Sequence, residues 1–487
     1  MVVNEQQSVR TWSNHGLHHD FSINGACSHW VDAQAETMVA ALARLVSHPS
    51  HSSLVTMVQE SKSEAPFGQA IIDCLDEALG LARQFGFRTY KDPAGFYAHI
   101  ELGSGSEVVG ILCHLDVHKP DDSAHWFSSP FQLNVRNGLL YGCGTQQSKG
   151  PFIAALFALK ALQESAQPLR HTIRLIIGTD AHQQWRCMER YLAHEAAPSF
   201  SFSPTSRFPV VYAEKRLLQV SLHGPASTDL TLACGGALDC VPDRARYSGK
   251  KQKLLQKKLD ALGYLWLEEA GSTVVLGQTA SAACCDHQGV NAIVRLCRGL
   301  QAIGYQHQAL GFCSLVVGED PHVRALLGDV EDECSGKLTL NLAQLRIDKQ
   351  GSRIDLDLRV PVHIDFELFQ QTLRQAVSRL GWRYQELGHV PPLYVPATSP
   401  AVIQLSQAYQ EVTEEQRMPT VSSAVSYARS LPNCVPFGAF LSEYPEAAPQ
   451  ANEHVALDEL LQASKIFACA LSRLQQIPLG IAVGRQS

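Results

Sequence analysis

No apolar run in this 487-residue chain is long enough to cross a bilayer, which excludes a helical membrane span. Basic residues are not in excess: 40 Lys and Arg stand against 47 Asp and Glu, a formal charge of −7. Nucleic acid and anionic membrane surfaces both call for a basic face, so neither is expected as a partner. The amino terminus has no basic segment leading into an apolar stretch, so neither a signal peptide nor an anchor is expected. Fourteen cysteines are present without one C-x-x-C pair. Reduced thiols in the cytoplasm are therefore expected in place of a disulfide framework, and Cys234 with Cys240 is too small a set for a structural zinc site. No internal repeat or low-complexity segment is found.

What the chain has is enough apolar material, 45% of its residues with only 18% charged, to bury two or three ordinary cores. Ala35 to His48 and Phe67 to Gly86 have the periodicity of amphipathic helices. Val108 to Cys113, Thr172 to Ile177 and Pro209 to Tyr212 are near-continuous apolar strands, and a helix from Gly150 to about Ser165 separates the first two. This alternation predicts an α/β layer with a mainly parallel sheet. Ligands of such a sheet gather at the carboxyl ends of its strands, where His114, Asp180 and Glu214 fall. From Arg216 the pattern changes to α+β, with a strand pair, Leu338 to Leu342 and Ile354 to Leu358, around a Lys349-Gln-Gly351 turn. The run Lys250 to Lys258, with Leu254, Leu255, Leu259 and Leu262 at helical spacing, predicts a solvated helix face. After Pro391-Pro392 the α/β character resumes, with Ser399-Pro400 opening a helix and a last helix over about 456–474. The expected division is residues 1–213 and 391–487 as one α/β domain and 214–390 as an inserted α+β lid.

Three segments carry polar residues beyond an apolar strand or before a helix: His114-Leu-Asp116, Gly142-Cys-Gly-Thr-Gln-Gln-Ser-Lys-Gly150 and Gly178-Thr-Asp-Ala-His-Gln-Gln-Trp185. On these motifs, in this order, the chain resembles the dinuclear-zinc dipeptidases of the peptidase V type, within the metallopeptidases that include aminoacylases and glutamate carboxypeptidases. The resemblance covers most of the chain, from about Val31 to the last helix. It implies that His114 binds a metal and that Asp116 supports it. It also places Gln147 where the family has a bridging aspartate, and Ala181 where it has the glutamate that deprotonates the attacking water. His182 stands for a metal-binding glutamate, Thr205 for the remaining carboxylate ligand and Gln450 for the last histidine. In the lid, Ser281 replaces the histidine that holds the transition-state oxygen, and Asp239 replaces an asparagine. Ser426 lies in Ser423-Ala-Val-Ser-Tyr-Ala-Arg429, where the family has a glycine run. Arg359 and Arg429 match residues of the substrate site.

A bridging position needs a carboxylate, and alanine offers no proton acceptor. The expectation is therefore a degenerate member of the family, without a stable zinc pair and at most with one weakly held zinc on His114 and His182. It would be inactive as a dinuclear hydrolase and would bind a small peptide or amino-acid derivative as a monomer. Two alternatives stay open: an active metallodipeptidase or amide-processing enzyme with a reduced metal site, and a non-catalytic interaction protein. Arg359 is equally compatible with an anion or with a neighbouring acid such as Asp355 or Asp357. His118 and His125 are expected to be solvated.

Overall fold

The computed structural model describes residues 23–52, 65–120, 125–441 and 450–479. Two main sheets are built from eleven strands: β1 (Arg88–Lys91), β2 (Tyr97–Leu102), β3 (Val108–His114), β4 (Thr172–Gly178), β5 (Phe200–Ser203), β6 (Arg216–Gly224), β7 (Leu232–Gly235), β8 (Thr339–Ile347), β9 (Ser352–Val360), β10 (Arg383–Val390) and β11 (Cys434–Pro436). The first sheet has the order β1-β2-β4-β3-β5-β11. Its central β4, β3, β5 and β11 run parallel, and β1 and β2 add an antiparallel edge. β3 and β4 are buried along nearly their whole length, which is why they read as continuous apolar runs and not as alternating ones.

The second sheet, β7-β8-β9-β6-β10, is antiparallel throughout. The β8–β9 hairpin pairs Ile347 with Ser352 across the expected turn. Each sheet has its own apolar core. One draws on residues from Cys27 to Val210 and again from Leu393 to Leu479; the other runs from Leu218 to Trp382. Chain segments nearly two hundred residues apart in sequence therefore share a single interior.

Helices pack on the parallel sheet where the sequence predicts them. α1 (Ala35–Val46) and α2 (Gln69–Gln84) bury one face each. α3 (Lys149–Glu164) is buried almost all round, because the final helix α6 (Leu457–Leu474), the helix Ile23–Ala33 and α1 all pack along it. Between them in sequence lie α4 (Arg186–His194) and α5 (Pro400–Thr413), the latter capped by Ser399 Oγ accepting from the Val402 N–H. The basic run forms a helix over Gln252–Ala261 that buries Leu255 and Leu259 but leaves Leu254 52% exposed. Residues i and i+4 share a helix face and the residue before them does not, so the apolar stripe is narrower than the leucine spacing predicts. No disulfide joins any of the fourteen cysteines, and no described helix is long and apolar enough to cross a membrane.

Candidate metal centre

The site begins with strand register. β3 and β4 are parallel neighbours with His114 opposite Gly178, so the residues just past each strand emerge side by side. Leu115 N–H donates to the Gly178 carbonyl (3.3 Å), Val117 N–H to Ser50 O (2.9 Å) and Ser50 Oγ to Leu115 O (2.7 Å), which fixes the exit of the first motif. Gly178 is required here, since a Cβ would collide with the Tyr427 hydroxyl. That tyrosine is buried, contacts Cys187 Sγ at 3.2 Å and stands its ring against His114, centroids 5.5 Å apart at 75°.

The register brings together His114, Asp116 and His182, with one potential ligand atom from each lying within 4.8 Å of the others. The backbone N–H of His182 donates to Asp116 Oδ2 (3.0 Å), and His114 Nδ1 lies 3.1 Å from Asp116 O and 3.3 Å from Oδ1. Asp116 thus ties both motifs together and turns Nδ1 of His114 inward, leaving Nε2 as the free lone pair. Burial pushes the Asp116 carboxyl upward. Contact with His114 and the charges of His114 and His182 outweigh it and hold the group well below the ordinary carboxylate range. Burial pushes His182 down to about 3, so its ring is neutral at physiological pH. Its Nε2 is buried and has no hydrogen-bond partner. A neutral imidazole with an orphaned buried nitrogen beside a second imidazole and a carboxylate is a donor set that fits a dication.

The other expected positions fall around this group in different ways. Ala181 packs on the main core, its carbonyl accepting from Trp185 Nε1 (3.0 Å), and it presents only a methyl group. Asp180 faces away, held by the Arg186 guanidinium at 3.0 and 3.2 Å. Gln147 and Gln450, far apart in sequence, line one small pocket with His118, Trp126, Cys143 and Glu453. Thr205 Oγ1 is 3.1 Å from Ser203 Oγ, which itself donates to Leu112 O.

Asp239 and Ser281 are exposed in neighbouring loops of the second core: Ala282 N–H donates to Asp239 O (2.8 Å), and Ser281 Oγ caps the short helix after it. Ser426 Oγ is buried without a partner, and the residue's N–H reaches Glu214 Oε2 at 3.3 Å. Arg429 gives its Nε to that carboxylate (2.6 Å) and its remaining nitrogens to the carbonyls of Pro391, Lys215 and Ala424. Arg359 holds Asp357 through two bonds, 2.7 and 3.2 Å, and Ser423 O through a third at 2.9 Å.

Three participants escaped the sequence reading. His118, expected to be solvated, is exposed yet lies against His182 with ring centroids 3.9 Å apart. Tyr427 forms the wall behind His114. Glu453 accepts the N–H groups of Gly144, Gln146 and Gln147 at 2.8, 3.0 and 3.1 Å, locking the glycine-rich segment in place. Its partners are over three hundred residues away, so no local pattern could have revealed that role.

Comparison with known proteins agrees with this architecture. A Bacillus subtilis protein named as a dipeptidase, YtjP, is 32% identical over 430 residues, covering 84% of this chain and 92% of that protein. A Staphylococcus epidermidis protein, also named as a dipeptidase, is 29% identical over 448 residues, 87% of this chain and 95% of its own length. Among solved structures, human carnosine dipeptidase 1 aligns with a TM-score of 0.58 at 15% identity, over 94% of this chain and 99% of that one. The dipeptidase Dug1p of Saccharomyces cerevisiae aligns with a TM-score of 0.57 at 11% identity, over 93% and 99%. These findings correct the expectation of no stable zinc pair and at most one weakly held zinc. Despite the neutral residues at 147, 205 and 450, His114, Asp116 and His182 keep a compact group of side chains that could hold a metal ion, in a chain of the metallopeptidase type. The model of peptidase family M20/M25/M40 matches residues 110–473, and the chain belongs to that family.

Proposed function

We propose that this protein is a dipeptidase-type member of its family, of the peptidase V kind, that binds a small peptide or amino-acid derivative at a metal-dependent site and turns it over slowly. The carrying observation is the methyl group of Ala181 immediately before His182, where the family places the proton acceptor that serves the attacking water. General-base assistance is commonly worth about 10²–10⁴-fold in rate, and the two carboxylates of the adjoining motifs are engaged elsewhere: Asp180 is committed to Arg186 and Asp116 to the two histidines. His114 and His182 would hold the dication and Asp116 would orient the first of them. When bound, the ion supplies Lewis-acid polarisation of an amide carbonyl.

Ligand contacts are assigned by spare hydrogen-bonding capacity. Arg359 uses three of the five N–H donors a guanidinium has, which leaves two for a ligand carboxylate, whereas Arg429 has one left. Ser426 Oγ is an open partner, and exposed Asp239 and Ser281 supply polar groups from the inserted segment. Residues 1–213 with 391–487 serve as the base and 214–390 as the lid, a division supported by the two separate cores. We place the protein in the cytoplasm as a monomer, a reading supported for the compartment by fourteen cysteines that form no disulfide; light scattering showing a tight dimer would refute the monomer.

Calorimetric titration of zinc-loaded protein with a panel of dipeptides, alongside turnover by wild type and Ala181→Glu, tests the reading. Binding with little turnover, and a gain of about 10²-fold or more in the variant, is expected. Rapid wild-type hydrolysis, or no dipeptide binding at all, would refute it.

A further inference from the structure

The ligand group of His114, Asp116 and His182 contains two imidazoles, and a third stands beside it without an assigned role. His118 follows His114 by four residues on the loop leaving β3, and its ring lies on that of His182, centroids 3.9 Å apart at 38°. The backbone there is held: Val117 N–H donates to Ser50 O, and Cys143 Sγ lies 3.8 Å from His118 O. Among the described residues no hydrogen bond engages the His118 ring, and the residue is exposed; its ring nitrogens lie outside the converging group of His114, Asp116 and His182, so a ligand role requires the side chain to turn on its held main chain. It also borders the pocket of Gln147 and Gln450, which places it where the ligand-bearing motifs meet.

We propose that His118 is a ligand of the metal centre, so that His114, His118 and His182 form a three-imidazole site selective for a borderline dication of the zinc, nickel or copper kind over magnesium and calcium. The inference rests on the reading that His114 and His182 hold a metal, and it names the donor that distinguishes this chain's site. Neutral imidazole suits zinc, copper and nickel, whereas magnesium and calcium favour sets of oxygen ligands. Three imidazoles bind where two alone hold loosely, and the nitrogen donors at 118 and 182 compensate for the ligand acids absent at 147, 182 and 205.

The test uses the full chain, stripped with chelator, and zinc titrated in competition with a chromophoric chelator, for wild type, His118→Ala, His182→Ala and the loop control His125→Ala. Loss of a ligand should cost at least the roughly 10–100-fold in affinity that loss of an outer partner costs. His118→Ala and His182→Ala should each weaken zinc by at least about tenfold, His125→Ala should not, and magnesium should not compete. Copper(II) bound to wild type gives an independent readout: electron paramagnetic resonance should show hyperfine coupling to three nitrogens. Unchanged affinity in His118→Ala with weakened His182→Ala, or coupling to only two nitrogens, would overturn the role of His118 and leave the two-histidine reading intact. A wild type that takes up no zinc would overturn both.

Discussion

Replacing Asp116 by asparagine separates the orienting role of this carboxylate from its size. The residue is 3% exposed, its Oδ2 accepts from the His182 N–H at 3.0 Å, and its Oδ1 stands 3.3 Å from His114 Nδ1. Asparagine keeps the shape and one acceptor but removes the charge that makes His114 a stronger donor to a metal. Loss of such an outer partner costs about 10–100-fold in affinity, or about 1.4–2.8 kcal/mol. A hydrogen bond to a buried charge is also worth roughly 1.5–3 kcal/mol to folding, so the metal-free variant should unfold at lower urea. The sign with pH follows from the direction of the shift. The folded carboxyl lies below its ordinary value of 3.8, so its stabilising contribution is present above that pH and lost as pH falls through the folded value. The stability difference between wild type and Asp116→Asn should therefore be full at pH 7 and shrink below about pH 4. Zinc competition titrations and urea melts at pH 7 and pH 3.5 measure both effects. Equal zinc affinity in the two proteins would refute the claim that Asp116 orients His114, and a stability gap that widens in acid would refute the electrostatic argument.

Three further outcomes are expected. Glu453→Gln puts an amide donor among the N–H groups of Gly144, Gln146 and Gln147, leaving at least one unmatched; a loss of about 1–3 kcal/mol in denaturant unfolding, with faster amide exchange at these three residues, checks it. Gly178→Ala forces the Tyr427 hydroxyl off its seat and should cost about 1–3 kcal/mol while weakening zinc binding, because the wall behind His114 shifts; an unperturbed melt would contradict the packing. In Asp92, 1% exposed, burial raises the carboxyl, but the Arg190 guanidinium and the Phe96 N–H lower it further, so its contribution also persists above pH 3.8 and is lost in acid. Asp92→Asn should lower stability by roughly 1–3 kcal/mol at pH 7 and make the acid limb of the stability curve shallower.

The sequence alone was enough for two central strands and for the location of the motifs; the third strand, expected at Pro209 to Tyr212, forms as Val211–Glu214 in a separate small sheet, and Phe200–Ser203 takes the place beside β3. Buried parallel strands must be apolar along their length, so Val108–His114 and Thr172–Gly178 were legible, as were the Ser399-Pro400 helix start and the β8–β9 hairpin. Local chemistry likewise singled out His114 and Asp116. What local pattern could not express was which neighbours the fold supplies. The His114–Gly178 register brings His182 onto Asp116, and a glycine in one strand makes room for a tyrosine from a segment about 250 residues later. Gln450 joins Gln147 because Glu453 is anchored by the glycine-rich segment, and Arg359 takes Asp357 as its partner because alternate residues of β9 point the same way. The expectation about metal failed for the same reason. Counting lost carboxylates position by position treats each ligand separately, whereas whether a site binds an ion depends on which lone pairs converge, and that convergence is set by strand register and packing.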